Sequence, residues 1–435
     1  MRILHLSDVH VGVENYGRPA TDADIEALPP YFAPGTDRGE LVGVSTRLLD
    51  FLSTLDAAVA YALENGIELV LFAGDAYKSR DPSQTHQREF ARRIARLASA
   101  GIPVFLTVGN HDLPHVSNRA SALDIFPTLD VANVTVGSTL ATHGVSTAAG
   151  DIQIVALPWI RIGGFMARDE TRNMTLEEIT RNVEDRLEAM LLAEIQALDP
   201  TLPAVLCAHV TVSGAKLSSE RGLMLGNDHV LSLGTLANTA FDYVALGHIH
   251  KHQVLSQNPR VVYPGSLQRI DFSEEDDTKG FCVIDLDPAR PRGERVVGFE
   301  FVPVDARPML TIDVRARPGE DPTAATLGAI AHHAGASLDR SIVRLRVAME
   351  ADDEPAFRES AVRDALGGAH YVASIQRQVH RERRTRLGVE DAERLGPIDA
   401  LRRYFDARSM PKAREDTLVR RAETLLQEEM DGAAD

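Results

Sequence analysis

Five short apolar runs in the first 250 residues each stop on a side chain able to bind a cation, and this recurrence constrains the fold more than any other feature of the chain. Arg2 to Leu6 runs into Ser7-Asp8-Val9-His10, Leu69 to Phe72 stops at Gly74-Asp75, and Val104 to Val108 reaches Asn110-His111-Asp112. Further on, Ala204 to Ala208 ends at His209, and Tyr243 to Leu246 ends in Gly247-His248-Ile249-His250. Segments of helical period lie between the first three runs. Thr46 to Leu63 puts Leu48, Leu49, Leu52, Leu55, Val59 and Leu63 on one face and ends at Asn65-Gly66. Ser83 can cap a second helix with Phe90, Ile94 and Leu97 on its apolar side and Gly101 beyond its end. The pattern is β-α-β-α-β, and in open α/β sheets the site lies outside the carboxyl ends of the strands. One sheet edge is therefore expected to receive all of these polar groups.

Asp8, His10, Asp75, Asn110, His209, His248 and His250 form a set of nitrogen and oxygen donors large enough for two divalent cations that share one carboxylate. Asp75 stands alone after its strand and is the natural bridge. Donors of this kind without thiolate suit Mn, Fe or Zn. Any one of the segments alone has the composition of an ordinary turn. Five separate strand ends stopping on ligand types are not explained that way. Two divalent ions facing only two carboxylates, Asp8 and Asp75, leave a positive centre that attracts a phosphoester. His111 is then left over as a group able to stabilise developing charge or protonate a leaving oxygen, with Asp112 placed to orient it. Neighbouring side chains on extended backbone diverge, which separates Asn110 as ligand from His111 as catalytic group, whereas Asp8 and His10, two apart, point the same way.

Net charge is −17, from 63 acidic against 46 basic residues, which argues against nucleic-acid binding through bulk charge. Local clusters remain: Arg88, Arg92, Arg93 and Arg96 at helical spacing, and Arg377, Arg381, Arg383, Arg384 and Arg386. A solvated helix face is the plainer account of each. Cys207 and Cys282 sit in apolar runs, as reduced buried thiols do. No apolar run has membrane-spanning length and the opening lacks a signal-peptide core, so a cytoplasmic protein is expected.

A chain of 435 residues exceeds one ordinary core, so two or three domains are expected. Gly12 to Ser45 reads as a long polar loop, and loops of that length are functional or disordered. Strands are expected at Val131 to Val136 and Ile152 to Leu157, and a Thr175/Glu178 capping box opens a helix to about Leu198. After Lys251 come short strands at Val261 to Tyr263 and Phe281 to Ile284, with Pro264-Gly265-Ser266 as a turn between them. A small α/β unit follows, with strands at Met309 to Val314 and Ile342 to Val347 and helices at Ala324 to His333 and Ala356 to Leu366. Helices over Pro397 to Met430 carry apolar stripes without a core of their own and so call for a partner surface.

Asp-x-His, Gly-Asp, Gly-Asn-His-Asp, a lone His and Gly-His-x-His, in that order, resemble the calcineurin-like metallophosphoesterase superfamily. The opening Met1 to His10, the segment Tyr263 to Arg269, and Phe272 through Lys279-Gly280-Phe281 look like the DNA-repair nucleases within it. The resemblance implies an α/β fold: a metallophosphoesterase β-sandwich flanked by helices, a small α/β cap domain and a helical C-terminal tail. Its domains would be a nuclease at 1–304, a DNA-binding cap at 305–380, and a linker with a partner-binding tail at 381–435. It implies a Mn-dependent homodimer with 3′-to-5′ double-strand exonuclease and single-strand endonuclease activity on DNA ends and hairpins, working with a coiled-coil ATPase. Carried onto this chain, Asp8, His10, Asp75 and His250 would hold one ion; Asp75, Asn110, His209 and His248 would hold the other; His111 would be catalytic.

The chain departs from its relatives in two places. Where they often carry a histidine three residues after the bridging aspartate, this chain has Lys78, which can contact substrate phosphate but does not titrate near neutrality. The 12–45 loop is also longer than the family leads one to expect. The rival reading is a phosphodiesterase or phosphatase acting on small or protein substrates. The acidic charge favours it, while the cap-like unit and the tail speak against it.

Overall fold

A computed structural model describes residues 1–35, 37–114, 119–161, 174–217, 230–333, 335–381, 396–408 and 410–432. The strands are β1 (Arg2–Leu6), β2 (Leu69–Phe72), β3 (Val104–Thr107), β4 (Val134–Gly137), β5 (Ala141–Thr147), β6 (Gly150–Leu157), β7 (Ala204–His209), β8 (Thr211–Val212) and β9 (Val230–Leu231). They continue with β10 (Tyr243–Gly247), β11 (Gln253–Gln257), β12 (Arg260–Tyr263), β13 (Gly280–Leu286), β14 (Val296–Pro303), β15 (Met309–Arg315), β16 (Ile342–Glu350) and β17 (Tyr371–His380).

Two six-stranded sheets carry the site, in the orders β14-β13-β1-β2-β3-β4 and β11-β12-β10-β7-β6-β5. In the first, β1 to β4 run parallel and β13 pairs antiparallel with β1, Arg2 opposite Asp285. In the second, β6, β7, β10 and β12 run parallel, with antiparallel strands at both edges. Alternation along each strand divides its side chains between two cores. From β2, Leu69 and Leu71 join Ile154, Val205, Cys207 and Ala245 of the second sheet in a shared inner core. Val70 and Phe72 point the other way, onto Leu48, Leu52, Leu55, Phe90 and Ile94 of the helices Thr46–Glu64 and Gln84–Ser99. The helix Leu176–Ala197 covers the second sheet's outer face through Val183, Leu187 and Leu191. The result is a β-sandwich flanked by helices, as the sequence implied. Ser83 and Thr175 cap their helices as expected, Thr175 in a capping box with Glu178.

Several expectations need correction. Strand β5 was not anticipated, because it is a half-exposed edge interrupted by Gly144 and lacks an apolar run. The same holds for β17, whose Gln376, Arg377 and Gln378 are exposed. Leu63 is 39 % exposed and leaves the apolar face assigned to it. That helix also buries Arg47, Asp50 and Asp56. The 12–45 segment is packed rather than loose, with short helices at Asp22–Glu26 and Arg38–Leu41 and with Ala20, Ile25, Phe32 and Leu41 in the first sheet's outer core.

The chain divides into two compact units, one comprising Met1–Val314, Thr323–Val347 and Arg358–Gln376, the other Arg315–Pro322, Ala348–Phe357 and Arg377–Asp435. Beyond the sandwich, the first unit has a small core of Phe272, Met309 and Ile342, and the Arg307–Asp50 ion pair. The second contains the terminal helices Pro397–Ala407 and Lys412–Gly432, where Phe405 and Val419 are buried while Leu418 and Leu425 are exposed. Among the described residues no helix is long and apolar enough to cross a membrane.

Candidate metal centre

The carboxyl ends of β1, β2 and β3 in one sheet and of β7 and β10 in the other deliver Asp8, His10, Asp75, Asn110, His209, His248 and His250 to one place. All but Asn110 are buried. They arrive by a different route from the one their spacing suggests. Asp8, His10, Asp75 and His248 have positive φ, at 53°, 48°, 59° and 101°, a region unfavourable for residues with a Cβ. Left-handed turns, rather than extended alternation, aim Asp8 and His10 inward. The loops are also bonded to one another: the amides of Asp8 and His10 donate to the carbonyls of Gly74 and Asp75, and the His248 amide donates to the Asp8 carboxylate at 3.1 Å. Two glycines permit this closeness. A Cβ on Gly109 would lie 2.1 Å from Asp75 Oδ1, and one on Gly247 would lie 1.9 Å from the Ala73 carbonyl oxygen.

The donor atoms fit cations. Ligand atoms of Asp8, His10 and His250 lie within 4.8 Å of one another, as do those of Asp75, His209 and His248, and those of His10, Asp75 and His111. His209 Nδ1 donates to the Ala73 carbonyl at 2.7 Å, so Nε2, which carries a proton without a cation and offers a lone pair to one, faces Asn110 Oδ1 at 3.0 Å and Asp75 Oδ2 at 3.4 Å. His250 likewise gives its Nδ1 proton to Glu274 Oε1 at 2.9 Å, and its Nε2 faces His10 Nε2 at 3.0 Å. Acceptors that face acceptors in a buried place need a proton or a cation between them. Asp75 Oδ2 lies 3.7 Å from His10 Nε2 as well as 3.4 Å from His209 Nε2, the position of a bridging carboxylate.

Electrostatics follow from that crowding. Burial pushes the Asp8 carboxyl up. At Asp75 burial acts in the same direction but is outweighed by His209, His111 and His10, so this carboxyl stays well below the usual range. Burial pulls His10 and His111 down. His209 is raised to about 9, because Asp75 and Asp8 outweigh its burial.

Three features around these ligands differ from the sequence reading or were missed by it. Asp112 does not orient His111. Its buried carboxylate accepts the amides of Gly109, Asp75, Ala76 and Tyr77 at 2.9 to 3.3 Å, tying the β2 and β3 loops together, while His111 Nδ1 bonds the Lys78 carbonyl at 2.8 Å. Behind His250, Glu274 is clamped by Lys279 Nζ at 2.7 Å, and Lys279 is 2 % exposed. A carboxylate on the far nitrogen fixes the tautomer and raises the basicity of a ligand histidine. The third is a neighbour, Trp159, whose ring lies 4.8 Å from that of His248. Asp112 was visible in the sequence but with another role, and Glu274 and Lys279 appeared only as part of the segment that resembled the nucleases.

The backbone at 109–112 is a turn, so the argument from extended backbone that separated Asn110 from His111 does not apply. Asn110 instead faces His209 and His248, whereas His111 lies beside His10 and Asp75, its amide donating to Asp75 Oδ1 at 2.9 Å. Lys78 is half-buried and its charge lowers both His10 and His111. Among the basic clusters, Arg93 is 1 % exposed and paired with Asp56 at 2.5 Å and Glu89 at 3.1 Å, so it is no part of a surface footprint. Arg96 shares Asp56, and Arg88 and Arg92 share Glu89. Arg377 lies on β17 rather than a helix, and Arg381 is exposed after it. Arg383, Arg384 and Arg386 lie outside the described residues.

Residues 1–252 match the calcineurin-like phosphoesterase family, and the chain belongs to it. Among solved structures it is similar to a dimetal phosphatase from Danio rerio, at 12 % identity and TM-score 0.34, over 65 % of this chain and 92 % of that one. It is also similar to the protein TT1561 of Thermus thermophilus, at 15 % identity and TM-score 0.34, over 69 % and 98 % respectively.

Proposed function

We propose that this metallophosphoesterase is a two-metal phosphodiesterase acting on DNA, a nuclease subunit of the SbcD type that works with the coiled-coil ATPase SbcC. The observation that carries the hydrolytic part is the convergence of buried ligand atoms on one another, His209 Nε2 on Asn110 and Asp75, and His250 Nε2 on His10 Nε2. Bound there, two divalent cations supply Lewis-acid polarisation of a phosphoester and a nucleophilic water at neutral pH. Asp8, His10, Asp75 and His250 would hold one ion and Asp75, Asn110, His209 and His248 the other, with Mn as the expected metal. His111, held through Nδ1 by the Lys78 carbonyl, keeps Nε2 for a proton or a developing charge. Lys78 would neutralise a substrate phosphate.

The choice of DNA rests on sequence. Tyr263 to Arg269 and Phe272 through Phe281 resemble the SbcD nucleases and lie beyond the family match. In the same reading 305–380 is a DNA-binding cap, 381–435 carries the docking helices for SbcC, and the enzyme is a homodimer. The test is end-labelled duplex and hairpin DNA with Mn, Mg or chelator. Mn-dependent shortening from 3′ ends is expected. Hydrolysis of cyclic nucleotides or phosphoproteins without action on DNA would instead support the small-substrate phosphodiesterase or phosphatase.

A further inference from the structure

Trp159 is the chain's single tryptophan, and no motif predicted an aromatic residue at the metal centre. Strand β6 ends at Leu157, and the Trp159 amide then donates to the Val108 carbonyl at 2.9 Å, tying it to the loop that delivers Asn110 and His111. Its ring lies 4.8 Å from the His248 ring, tilted by 35°, and 6.2 Å from that of His209. The residue is only half-buried. A partly exposed indole therefore forms one wall of the pocket built from Asp75, Asn110, His209 and His248. Two residues on, the Nη2 of half-buried Arg161 is shielded from solvent and has no hydrogen-bond partner among the described residues. Burial and the neighbouring charge of Arg80 both disfavour this cation. A shielded guanidinium N–H without an acceptor is costly, and a phosphate oxygen is the acceptor it suits best.

We propose that Trp159 and Arg161 form a nucleotide subsite at the edge of the metal centre: the indole stacks on the base beside the scissile phosphodiester and the guanidinium takes an adjacent phosphate. This rests on the reading of the enzyme as a DNA phosphodiesterase, and it goes further by assigning how the substrate is recognised. Stacking needs no particular base, since every base has a π-face, so the subsite gives affinity for nucleotides without sequence preference. A phosphoserine, a phosphothreonine or another aliphatic phosphoester offers nothing flat to stack. The competing account is that Trp159 only orients His248.

The full-length chain, loaded with Mn, is assayed on a single-stranded oligonucleotide and on the same oligonucleotide with an abasic residue next to the scissile bond. Trp159→Leu is expected to lower kcat/KM on the base-bearing strand by roughly 5- to 100-fold, the range that one stacked base supplies. The loss on the abasic strand should be several-fold smaller than on the base-bearing one, metal content should be unchanged, and Trp159→Phe should restore most of the loss. Arg161→Gln should reduce the salt slope of binding by about one. In the wild type, tryptophan emission comes from Trp159 alone, so a phosphorothioate oligonucleotide that resists cleavage should quench it and its abasic counterpart should not. Equal losses on both strands, falling metal content in Trp159→Leu, or equal quenching by both oligonucleotides would overturn the subsite and leave Trp159 as a support for His248. A wild-type enzyme that hydrolyses bis(4-nitrophenyl) phosphate but neither cuts nor binds DNA would defeat the nuclease reading itself.

Discussion

Two buried polar clusters flank the first sheet, and they are built on opposite principles. At Asp56 and Glu89, each carboxylate is matched: Arg93 and Arg96 on one, Arg88, Arg92 and Arg93 on the other, with the Ala33 amide adding a bond to Asp56 at 3.0 Å. Arg93 also lies over the Phe32 ring, 5.4 Å from its centroid, so this cluster fastens the 12–45 segment to the helices. At the metal centre carboxylates, imidazoles and an amide face one another without such cations, on backbone turned left-handed, and His10 Nδ1 is buried with no hydrogen-bond partner among the described residues. A cluster whose charges match one another stabilises a fold, whereas one whose buried ligand atoms converge without matching cations among them is suited to binding a metal.

That contrast can be broken from either side. Asp75→Ala should have the largest effect: with the bridge gone, metal content should fall below that of the wild type and cleavage should drop by roughly 10³-fold, while the protein stays folded. Elemental analysis and a cleavage assay decide it. Arg93→Ala should do the converse, destabilising the fold by about 3–5 kcal/mol because Asp56 and Glu89 lose a buried partner, with kcat per folded molecule unchanged. Denaturant melts measure the first quantity and active-site titration the second.

His111→Ala comes next. It should keep its metal and lose about 100-fold in rate, the scale for an acid–base or charge-stabilising group. Loss of metal comparable to Asp75→Ala would make His111 a ligand, which its grouping with His10 and Asp75 allows.

The fourth effect is pH-dependent. His209 is raised to about 9, so near neutrality in the metal-free protein it holds a proton that an incoming cation must displace. Metal affinity should therefore rise with pH up to about 9, and titration calorimetry in buffers of different ionisation enthalpy should detect proton release. Stability of the metal-free protein should run the other way. A histidine whose pKa is raised on folding stabilises fully below about 6.5 and loses that contribution as pH climbs toward 9. Melting temperatures with and without metal should diverge over that window.

The smallest effect is expected at the exposed rim of the matched cluster. Arg88→Ala and Arg92→Ala should each change stability by only about 0–1 kcal/mol, since their side chains are 47 % and 40 % exposed. If they also leave the salt dependence of DNA binding unchanged, that helix is not the footprint.

The sequence was most legible where an apolar run met a polar stop. Strands β1, β2 and β7 and the helices at 46–64 and 176–197 have the bounds their patterns indicated, to within a residue or two. The strand-end donors could be found because each sits at the same topological place, the carboxyl end of a strand. Their orientation was not legible, because a left-handed φ at Asp8 or His248 has no compositional sign when glycine is absent. The Arg88 to Arg96 row misled for a related reason. Helical spacing reveals which face a residue occupies but not that Asp56, on another helix, faces it. Glu274 was equally hidden as a partner of His250, being 24 positions away.

The pairing of β1 with β13 reaches beyond architecture. Strand β1 lies between β2 and β13, which begins at Gly280, so during synthesis its outer edge stays open until β13 has emerged. A fragment ending at residue 252, where the family match stops, would expose that edge to intermolecular strand addition, and it would also lack Glu274 and Lys279 behind His250. Such a fragment would contain all seven donors and still be prone to aggregate. Expression boundaries for the catalytic half should therefore be set after β14, at or beyond Pro303.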